Sequence, residues 1–312
     1  MVARDSKGYF PNREGVLITG CSSGIGRATA IHLAQRGFTV FATVRKQADA
    51  ESLRGLNEAL STTALGTTAL CPTPLYPTPT LIPICPLDLT RLEHIPHVME
   101  TVTEELKRRG KEGLYALINN AGGGSVAPIE LMDLDGFRTE LQARVLGSVA
   151  MVQACLPMIR RAKGRVVWIV TPATLPTPYV TSIHACDFSV SCIARTLEIE
   201  LKPWKIPNIM IRCGGTKTAA VPRNKAELEA SFKTWPPERS ALYEPALRQW
   251  QEDMAEFDAK RAEPERVAEV VFKALCAQEP KRRYSIGHMA GAAAFLESLP
   301  QLVVDWILAK RF

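Results

Sequence analysis

The chain alternates between short apolar runs and longer stretches with helical periodicity. Six short runs rich in branched and aromatic residues predict strands, at 16–19, 38–44, 83–87, 114–119, 165–170 and 208–212. Apolar residues recur at helical spacing between them, including 92–109, 135–161 and 188–201. Strands that alternate with helices require right-handed crossovers and a parallel sheet covered on both faces. The pattern therefore predicts a doubly wound α/β fold, in a single domain over 1–312.

Two segments interrupt this alternation. Residues 61–80 are rich in Thr and Pro, and proline sustains neither a helix nor a central strand, so this segment is predicted to be an exposed insertion. Residues 219–261 are polar with a helical pattern and interleaved aromatic residues. This position, after the sixth strand, is where such folds place a lobe that covers the substrate. A pair of amphipathic surface helices is the alternative.

Composition and charge exclude several classes of protein. A hydrophobic content of 46% and a charged content of 22% provide for a core and exclude a mainly disordered chain. A net charge of +6 over 312 residues is too small an excess to indicate nucleic-acid binding. The eight cysteines form no CxxC pair, so we expect no metal site and a reducing compartment. The N-terminus lacks a signal-like apolar region and charges interrupt the apolar tract 289–308, which predicts a cytoplasmic protein without an integral membrane span.

A glycine-rich turn follows the first strand and precedes a helix. Gly20, Gly24 and Gly26 have no Cβ, so the backbone here can approach a pyrophosphate, and the helix N-terminus offers free N–H groups. A tight turn without a ligand is the alternative. Arg45 ends the second strand, where an acidic residue would bind the adenosine ribose of NAD. The cation favours NADP(H), although a solvated loop residue would look the same.

Several motifs together resemble one family. Residues 19–26, Asp88 with Leu89, and 119–122 resemble the TGxxxGIG, adenine-side Asp and NNAG signatures of the short-chain dehydrogenase/reductases. Residues 264–274, 283–287 and 303–308 are similar to the retinol dehydrogenase and 17β-hydroxysteroid dehydrogenase branch. The resemblance implies a Rossmann fold that binds NADP(H) and a small-molecule substrate, in a homo-oligomer of two or four subunits. It implies cofactor contacts from Gly20, Ser22, Ser23, Gly24, Ile25, Gly26, Arg45, Asp88, Leu89, Asn120, Ala121, Gly122, Gly215 and Thr218.

The family's catalytic side chains are not at the matching positions. The positions of its Tyr and Lys fall on Ile183 and Asp187, and that of its Asn falls on Arg144. The Ser position falls on Val170 or Thr171, of which only Thr171 carries a hydroxyl. Because a tuned phenol is missing, the resemblance does not predict ordinary ketone reduction. His184, beside the lost Tyr, is a further candidate acid or base, with a purely structural role as the alternative.

The replacements suggest a different chemistry. Arg144 and Asp187 occupy two family positions that lie close together, so the sequence predicts an ion pair between them, unless both merely fill vacated space. Three functions remain open. The chain reduces an iminium-like cation without a proton donor, or it is a non-redox cyclase, isomerase or lyase that reuses the pocket, or it is a catalytically silent cofactor-binding protein.

Overall fold

A computed structural model of the chain describes residues 14–65, 80–172 and 176–311, except for the side chains of 60–65, 301 and 308–311. Within these residues one parallel sheet has the strand order β3-β2-β1-β4-β5-β6-β7. This is the predicted doubly wound fold. The strands are β1 (Gly15–Ile18), β2 (Thr39–Thr43), β3 (Thr80–Ile84), β4 (Ala116–Asn119), β5 (Arg165–Val170), β6 (Asn208–Cys213) and β7 (Arg283–Ile286).

Helices cover both faces of the sheet. One apolar cluster packs α1, α2 and α9 against one face, and a second packs α3, α5 and α6 against the other. The helices are α1 (Gly24–Gln35), α2 (Gln47–Leu65), α3 (Ile95–Arg108), α4 (Leu134–Leu141), α5 (Gly147–Ala162), α6 (Thr181–Glu200), α7 (Ala220–Thr234), α8 (Pro237–Ala259), α9 (Pro264–Cys276), α10 (Ala290–Leu296) and α11 (Gln301–Arg311).

The predicted insertion 61–80 is shorter than expected at both ends. Residues 61–65 complete α2, Thr80 begins β3, and 66–79 lie outside the described residues. Strand β3 therefore begins before the predicted 83–87 and contains Pro83. A proline is tolerated there because β3 is an edge strand that pairs only with β2.

Helix α6 begins at Thr181, seven residues before the predicted 188. Its first turns carry Ser182 and Asp187, which are 1% and 0% exposed. Buried polar residues on the inner face break the apolar periodicity by which an amphipathic helix is detected. The early start of α6 places these polar groups beside the ends of the strands.

One π turn, Gln142–Leu146, joins α4 to α5. The joined helix Leu134–Ala162 is long and apolar enough to cross a membrane by length and composition alone. Its inner face, which includes Met151 and Ile159, packs in the core, as it does in core helices of soluble proteins. The absence of a membrane span stays a prediction.

The 219–261 segment forms two helices, α7 and α8, that pack over the loop after β4. Val126 from that loop, Leu228 from α7 and Leu247 from α8 make a small apolar cluster. The ring of Tyr179 meets that of Trp250 edge-to-face at 6.0 Å between centroids. The two helices therefore lie next to the segment that leads into α6.

Candidate active site

The glycine turn after β1 is held between two loops. Gly20 and Gly24 have φ values of +74° and +56°, in the left-handed region that favours glycine. A Cβ on Gly20 would lie 2.9 Å from the Cα of Ala121, and one on Gly24 would lie 3.3 Å from Thr218. The turn thus contacts the loop after β4 on one side and the loop after β6 on the other.

Hydrogen bonds from the loop after β4 fix the shape of the turn. The Asn120 side-chain amide donates to the carbonyl oxygens of Thr19 and Gly20, at 2.9 and 3.0 Å. The Thr19 hydroxyl oxygen accepts from the N–H groups of Asn120 and Ala121, both at 3.0 Å. A Cβ on Gly26 would lie 2.2 Å from the carbonyl oxygen of Gly20. The side chain of Asn120 therefore supports the turn.

The N-terminus of α1 fits a pyrophosphate group. Ser22 and Ser23 are exposed, and Ser23, at the N-cap, makes no side-chain capping bond. The first N–H groups of the helix therefore lack a side-chain cap, and the helix dipole favours an anion at this end. Ile25, on the same turn, packs against the core and does not face this opening with its side chain. The geometry matches the phosphate-binding role predicted for the turn.

Arg45 and Asp88 follow adjacent strands at the same edge of the sheet. Arg45 is exposed after β2, and the Asp88 carboxylate accepts from the Thr90 N–H at 3.0 Å and from its hydroxyl at 2.7 Å. Burial opposes ionisation of Asp88, but the bonds from Thr90 and the charges of Arg45 and His94 outweigh it and lower the pKa of the carboxyl. Leu89 is buried, and its side chain and carbonyl oxygen both lie close to Gly147.

The loop after β6 closes the other side of the turn. Thr218 lies against Gly24, as described above, whereas Gly215 exchanges backbone hydrogen bonds with His288, at 2.9 and 3.1 Å. A Cβ on Gly215 would lie 2.8 Å from the ring of Phe257. Two residues of this loop are predicted to contact the cofactor. Thr218 contacts the glycine turn, whereas Gly215 binds the loop to the segment after β7.

Three of the predicted catalytic residues form one hydrogen-bonded network. The Nε of Arg144 donates to Oδ1 of Asp187 at 2.6 Å, and the guanidinium Nη2 contacts the same oxygen. The other carboxylate oxygen, Oδ2, accepts from the N–H of Thr171 at 2.8 Å and from its hydroxyl at 2.6 Å. Asp187 is 0% exposed. The predicted ion pair is present, and Thr171 belongs to it.

The direction of the bond from Thr171 decides what its hydroxyl can offer a ligand. A carboxylate that is paired with a guanidinium only accepts hydrogen bonds, so the Thr171 hydroxyl must be the donor. Its single proton is then engaged by Asp187. The lone pairs that remain on Thr171 Oγ1 make it a hydrogen-bond acceptor towards any ligand.

The π turn carries Arg144 towards α6. A π turn inserts one residue into a helix and often marks a functional site. Arg144 lies within this turn and donates from Nη1 to the Gly123 carbonyl oxygen at 3.1 Å. Its guanidinium covers Gly122, where a Cβ would lie 2.6 Å from Nη1. The cation thus links α4–α5, α6 and the loop after β4.

Ile183 and His184 lie in the first turns of α6. A Cβ on Gly124 would lie 2.0 Å from Cγ1 of Ile183, so the isoleucine side chain packs directly on this backbone. The N–H of His184 donates to the Val180 carbonyl oxygen at 3.1 Å, and the residue is half-buried. The acid–base role of His184 stays a prediction.

Sequence reasoning missed two supports of the site. Ser182 Oγ accepts from the N–H of Ser125 at 3.0 Å and donates to its carbonyl oxygen at 3.1 Å, which ties α6 to the loop after β4. The loop residues Gly123 and Gly124 contact Arg144 and Ile183. The run of three glycines at 122–124 was the available signal, since it allows close approach to the backbone.

Two thiols lie near the network. Burial raises the pKa of Cys186 to about 11, although the charge of Arg144 opposes the rise. Burial also raises the pKa of Cys213 to about 12. Both thiols stay protonated near neutral pH and are weak nucleophiles there.

Known proteins share this sequence pattern. The chain is 31% identical over 288 residues to "11-beta-hydroxysteroid dehydrogenase type 2" of Ovis aries, and the alignment covers 90% of this chain and 62% of the relative. It is 28% identical to "Retinol dehydrogenase 16" of Homo sapiens, with 94% and 87% covered, and 27% identical to "Estradiol 17-beta-dehydrogenase 2" of Rattus norvegicus, with 96% and 75% covered. The chain thus spans less than two thirds of the length of the sheep relative.

Solved structures share the fold. A short-chain dehydrogenase from Streptomyces avermitilis superposes with a TM-score of 0.69 at 22% identity, and the match covers 97% of this chain and 99% of that one. The family model described as "short chain dehydrogenase" matches residues 14–70 and 78–229. The predicted resemblance is confirmed, and the chain belongs to the short-chain dehydrogenase family.

Proposed function

We propose that the chain is an NADP(H)-dependent oxidoreductase that reduces an iminium-like C=N⁺ group and uses no proton donor of its own. The observation that carries this proposal is the hydrogen bond from the Thr171 hydroxyl to Asp187 at 2.6 Å. It turns the hydroxyl that would polarise a carbonyl into an acceptor. An acceptor suits an N–H group and does not suit a carbonyl oxygen.

The glycine turn and its neighbours would hold the cofactor. The open N-terminus of α1 would bind the pyrophosphate, Thr218 borders the same turn, and Arg45 would pair with a 2′-phosphate. When bound, NADPH supplies a hydride. The contact between Gly24 and Thr218 supports the part of this site that would hold the pyrophosphate.

The expected reaction needs no protein acid. Hydride addition to the carbon of a C=N⁺ group forms one C–H bond, and the π electrons become the lone pair of a neutral amine, while NADPH is oxidised to NADP⁺. No alkoxide forms, so no phenol is needed to protonate one. Ile183, at the family's Tyr position, instead places an apolar side chain against Gly124, which excludes water beside the site.

Asp187 is a positioning residue in this account. Its carboxylate is 0% exposed and paired with Arg144, so its charge is largely neutralised before a substrate arrives. Direct contact between Asp187 and a substrate cation does not fit this burial. Asp187 acts through Thr171. The carboxylate accepts the Thr171 hydroxyl proton in a hydrogen bond, so the lone pairs on the Thr171 oxygen point away from Asp187.

The test compares two substrates of nearly equal size with NADPH, 1-pyrroline in its protonated form and cyclopentanone. We expect NADPH oxidation with the iminium and none with the ketone. Ketone turnover would show that another group, such as Tyr179 or His184, serves as an acid. Binding of NADPH without reduction of either compound would favour the non-redox or the silent alternative. A cytoplasmic homo-oligomer remains our proposal for its state in the cell.

A further inference from the structure

A second arginine lies close to the same glycine loop. Nη2 of Arg223, in the first turns of α7, lies 3.7 Å from the position that a Cβ of Gly123 would take. The carbonyl oxygen of Gly123 accepts from Arg144 at 3.1 Å. Two guanidinium groups therefore approach Gly123, one from the π turn and one from the 219–261 lobe.

The two cations differ in how far they are neutralised. Arg144 contacts a fully buried carboxylate. Arg223 has its ion pair with Glu227 at 3.6 Å, where the two side chains are 45% and 53% exposed, and donates to the amide oxygen of Asn224 at 3.1 Å. An exposed ion pair at this distance contributes little free energy, so Arg223 is available to bind an anionic group of a ligand.

Other cations near the loop after β6 are more closely paired. Lys217 contacts Glu263 at 2.5 Å, and Arg261 contacts Asp258 at 2.6 Å. Of these three cations, Arg223 has the longest ion pair. A guanidinium binds a carboxylate in a planar, two-point geometry that a lysine cannot provide.

We infer that Arg223 binds an anionic oxygen group of the molecule that occupies this site, and we assign that group to a carboxylate on the substrate. The inference rests on the proposed function, since it makes the substrate an iminium that also carries a carboxylate. Thr171 Oγ1 would accept from the N–H, and Arg223 would bind the adjacent carboxylate beside Gly123. A phosphate of the cofactor is the other source of the same chemistry.

The first experiment measures binding without turnover. With NADP⁺ bound to the protein, pyrrole-2-carboxylate and pyrrole are titrated by calorimetry as an unreactive pair that differs by one carboxylate. We expect the wild type to prefer pyrrole-2-carboxylate by about 10-fold or more, the scale of one charge-assisted contact. Arg223→Gln should remove most of that preference.

A matched control removes the same charge from the same helix. Lys225, two residues further along α7, is exposed, so Lys225→Gln should leave the preference for the carboxylate unchanged. Glutamine is an adequate helix former, so both variants should fold. If both variants lose the same part of the preference for the carboxylate, net positive charge and not a contact with Arg223 causes the preference. That result would overturn the assignment of Arg223.

The second experiment locates the anion. NADPH affinity is measured in wild type and Arg223→Gln, and kcat/KM is measured for 1-pyrroline-2-carboxylate and 1-pyrroline. We expect NADPH affinity to change less than about 3-fold, while the preference for the carboxylated imine falls by about 10-fold or more. Weaker NADPH binding with an unchanged ligand preference would overturn the carboxylate assignment in favour of a cofactor phosphate. If neither imine is reduced, the proposed function fails, and the calorimetric arm still decides the role of Arg223.

Discussion

The hydroxyl of Thr171 donates its only proton to Asp187, on the carboxylate oxygen that the Thr171 N–H also contacts. The other oxygen of Asp187 is held by Arg144. The guanidinium and the hydroxyl therefore both donate to the carboxylate, which only accepts. This arrangement leaves the Thr171 hydroxyl oxygen only its lone pairs to offer a ligand, so it can act there only as a hydrogen-bond acceptor.

The buried ion pair should matter for stability. Arg144→Ala leaves the Asp187 charge buried without its cation, and we expect a loss of about 3–5 kcal/mol in the free energy of unfolding. Arg144→Ala combined with Asp187→Asn should lose less than the sum of the single changes, because the pair is lost only once. Urea denaturation measures all three variants.

An exposed pair on the same helix unit is the control. Arg138 pairs with Asp135 where the side chains are 75% and 88% exposed, so Arg138→Ala should leave the denaturation midpoint nearly unchanged. Equal midpoints for Arg144→Ala and Arg138→Ala would mean that the buried pair does not stabilise the fold.

The glycine turn should be essential for cofactor binding. Gly24→Val places a branched side chain at a φ of +56° and against Thr218, so binding of NADPH and of NADH should both be lost. Gly55, within α2, has no atom within 4 Å of a Cβ position, and Gly55→Ala should retain binding and raise stability by about 0.5–1 kcal/mol. Calorimetric titration that is unchanged in Gly24→Val would rule out the pyrophosphate assignment.

Arg45 should distinguish the two cofactors. If Arg45 contacts a 2′-phosphate, Arg45→Ala should weaken NADPH binding by about 10-fold or more and leave NADH binding nearly unchanged. Lys46→Ala, at the next exposed position, serves as the control for net charge. Equal losses for NADPH and NADH in Arg45→Ala would show that this residue does not recognise the phosphate.

Alkaline pH should destabilise the fold through its buried thiols. Burial raises the pKa of Cys155 and Cys213 to about 12 and that of Cys186 to about 11. A raised pKa means that the folded state holds protons that the unfolded state releases, so this stability is present below about pH 9 and is lost as the pH rises towards 11–12. Each thiol contributes a slope of at most about 1.4 kcal/mol per pH unit.

Urea midpoints between pH 7 and pH 10.5 measure this slope. The double variant Cys186→Ala, Cys213→Ala should be less stable at pH 7, because it loses packing, but should show a shallower decline above pH 9. An identical decline in wild type and double variant would assign the alkaline loss to other groups.

The repeated strand–helix units and the glycine-rich turn, which would bind a cofactor through its backbone, could be predicted from the sequence. Strands such as β5 were located to the residue, because buried parallel strands are continuous apolar runs. The ion pair of Arg144 and Asp187 was predicted from family positions alone. The start of α6 was missed, because its buried Ser182 and Asp187 conceal the apolar face.

The donor role of Thr171 and the approach of Arg223 to Gly123 were beyond prediction from the sequence. The first depends on which of two atoms holds a shared proton, and that follows only from the contacts of Asp187 with Arg144. The approach of Arg223 to Gly123 brings together residues 100 positions apart in the sequence. It depends on how the 219–261 lobe packs, and the helical pattern of that lobe left its role open. Side-chain direction across a site is set by tertiary packing, which no local periodicity encodes.

The central claim is that Asp187 makes Thr171 an acceptor, and one ratio tests it most directly. In Asp187→Asn the amide oxygen should stay towards the donors of Arg144, so the amide NH₂ faces Thr171 and donates to its hydroxyl oxygen. The hydroxyl proton is then released towards the ligand. We measure kcat/KM for 1-pyrroline relative to cyclopentanone in wild type and Asp187→Asn, with NADPH affinity alongside. Where no ketone turnover is detected, the detection limit of the assay is taken as the ketone value, so the wild-type ratio is a lower bound. The account predicts that this ratio falls by about 10-fold or more while NADPH affinity is nearly retained. An unchanged ratio in a folded, NADPH-binding Asp187→Asn variant would contradict it.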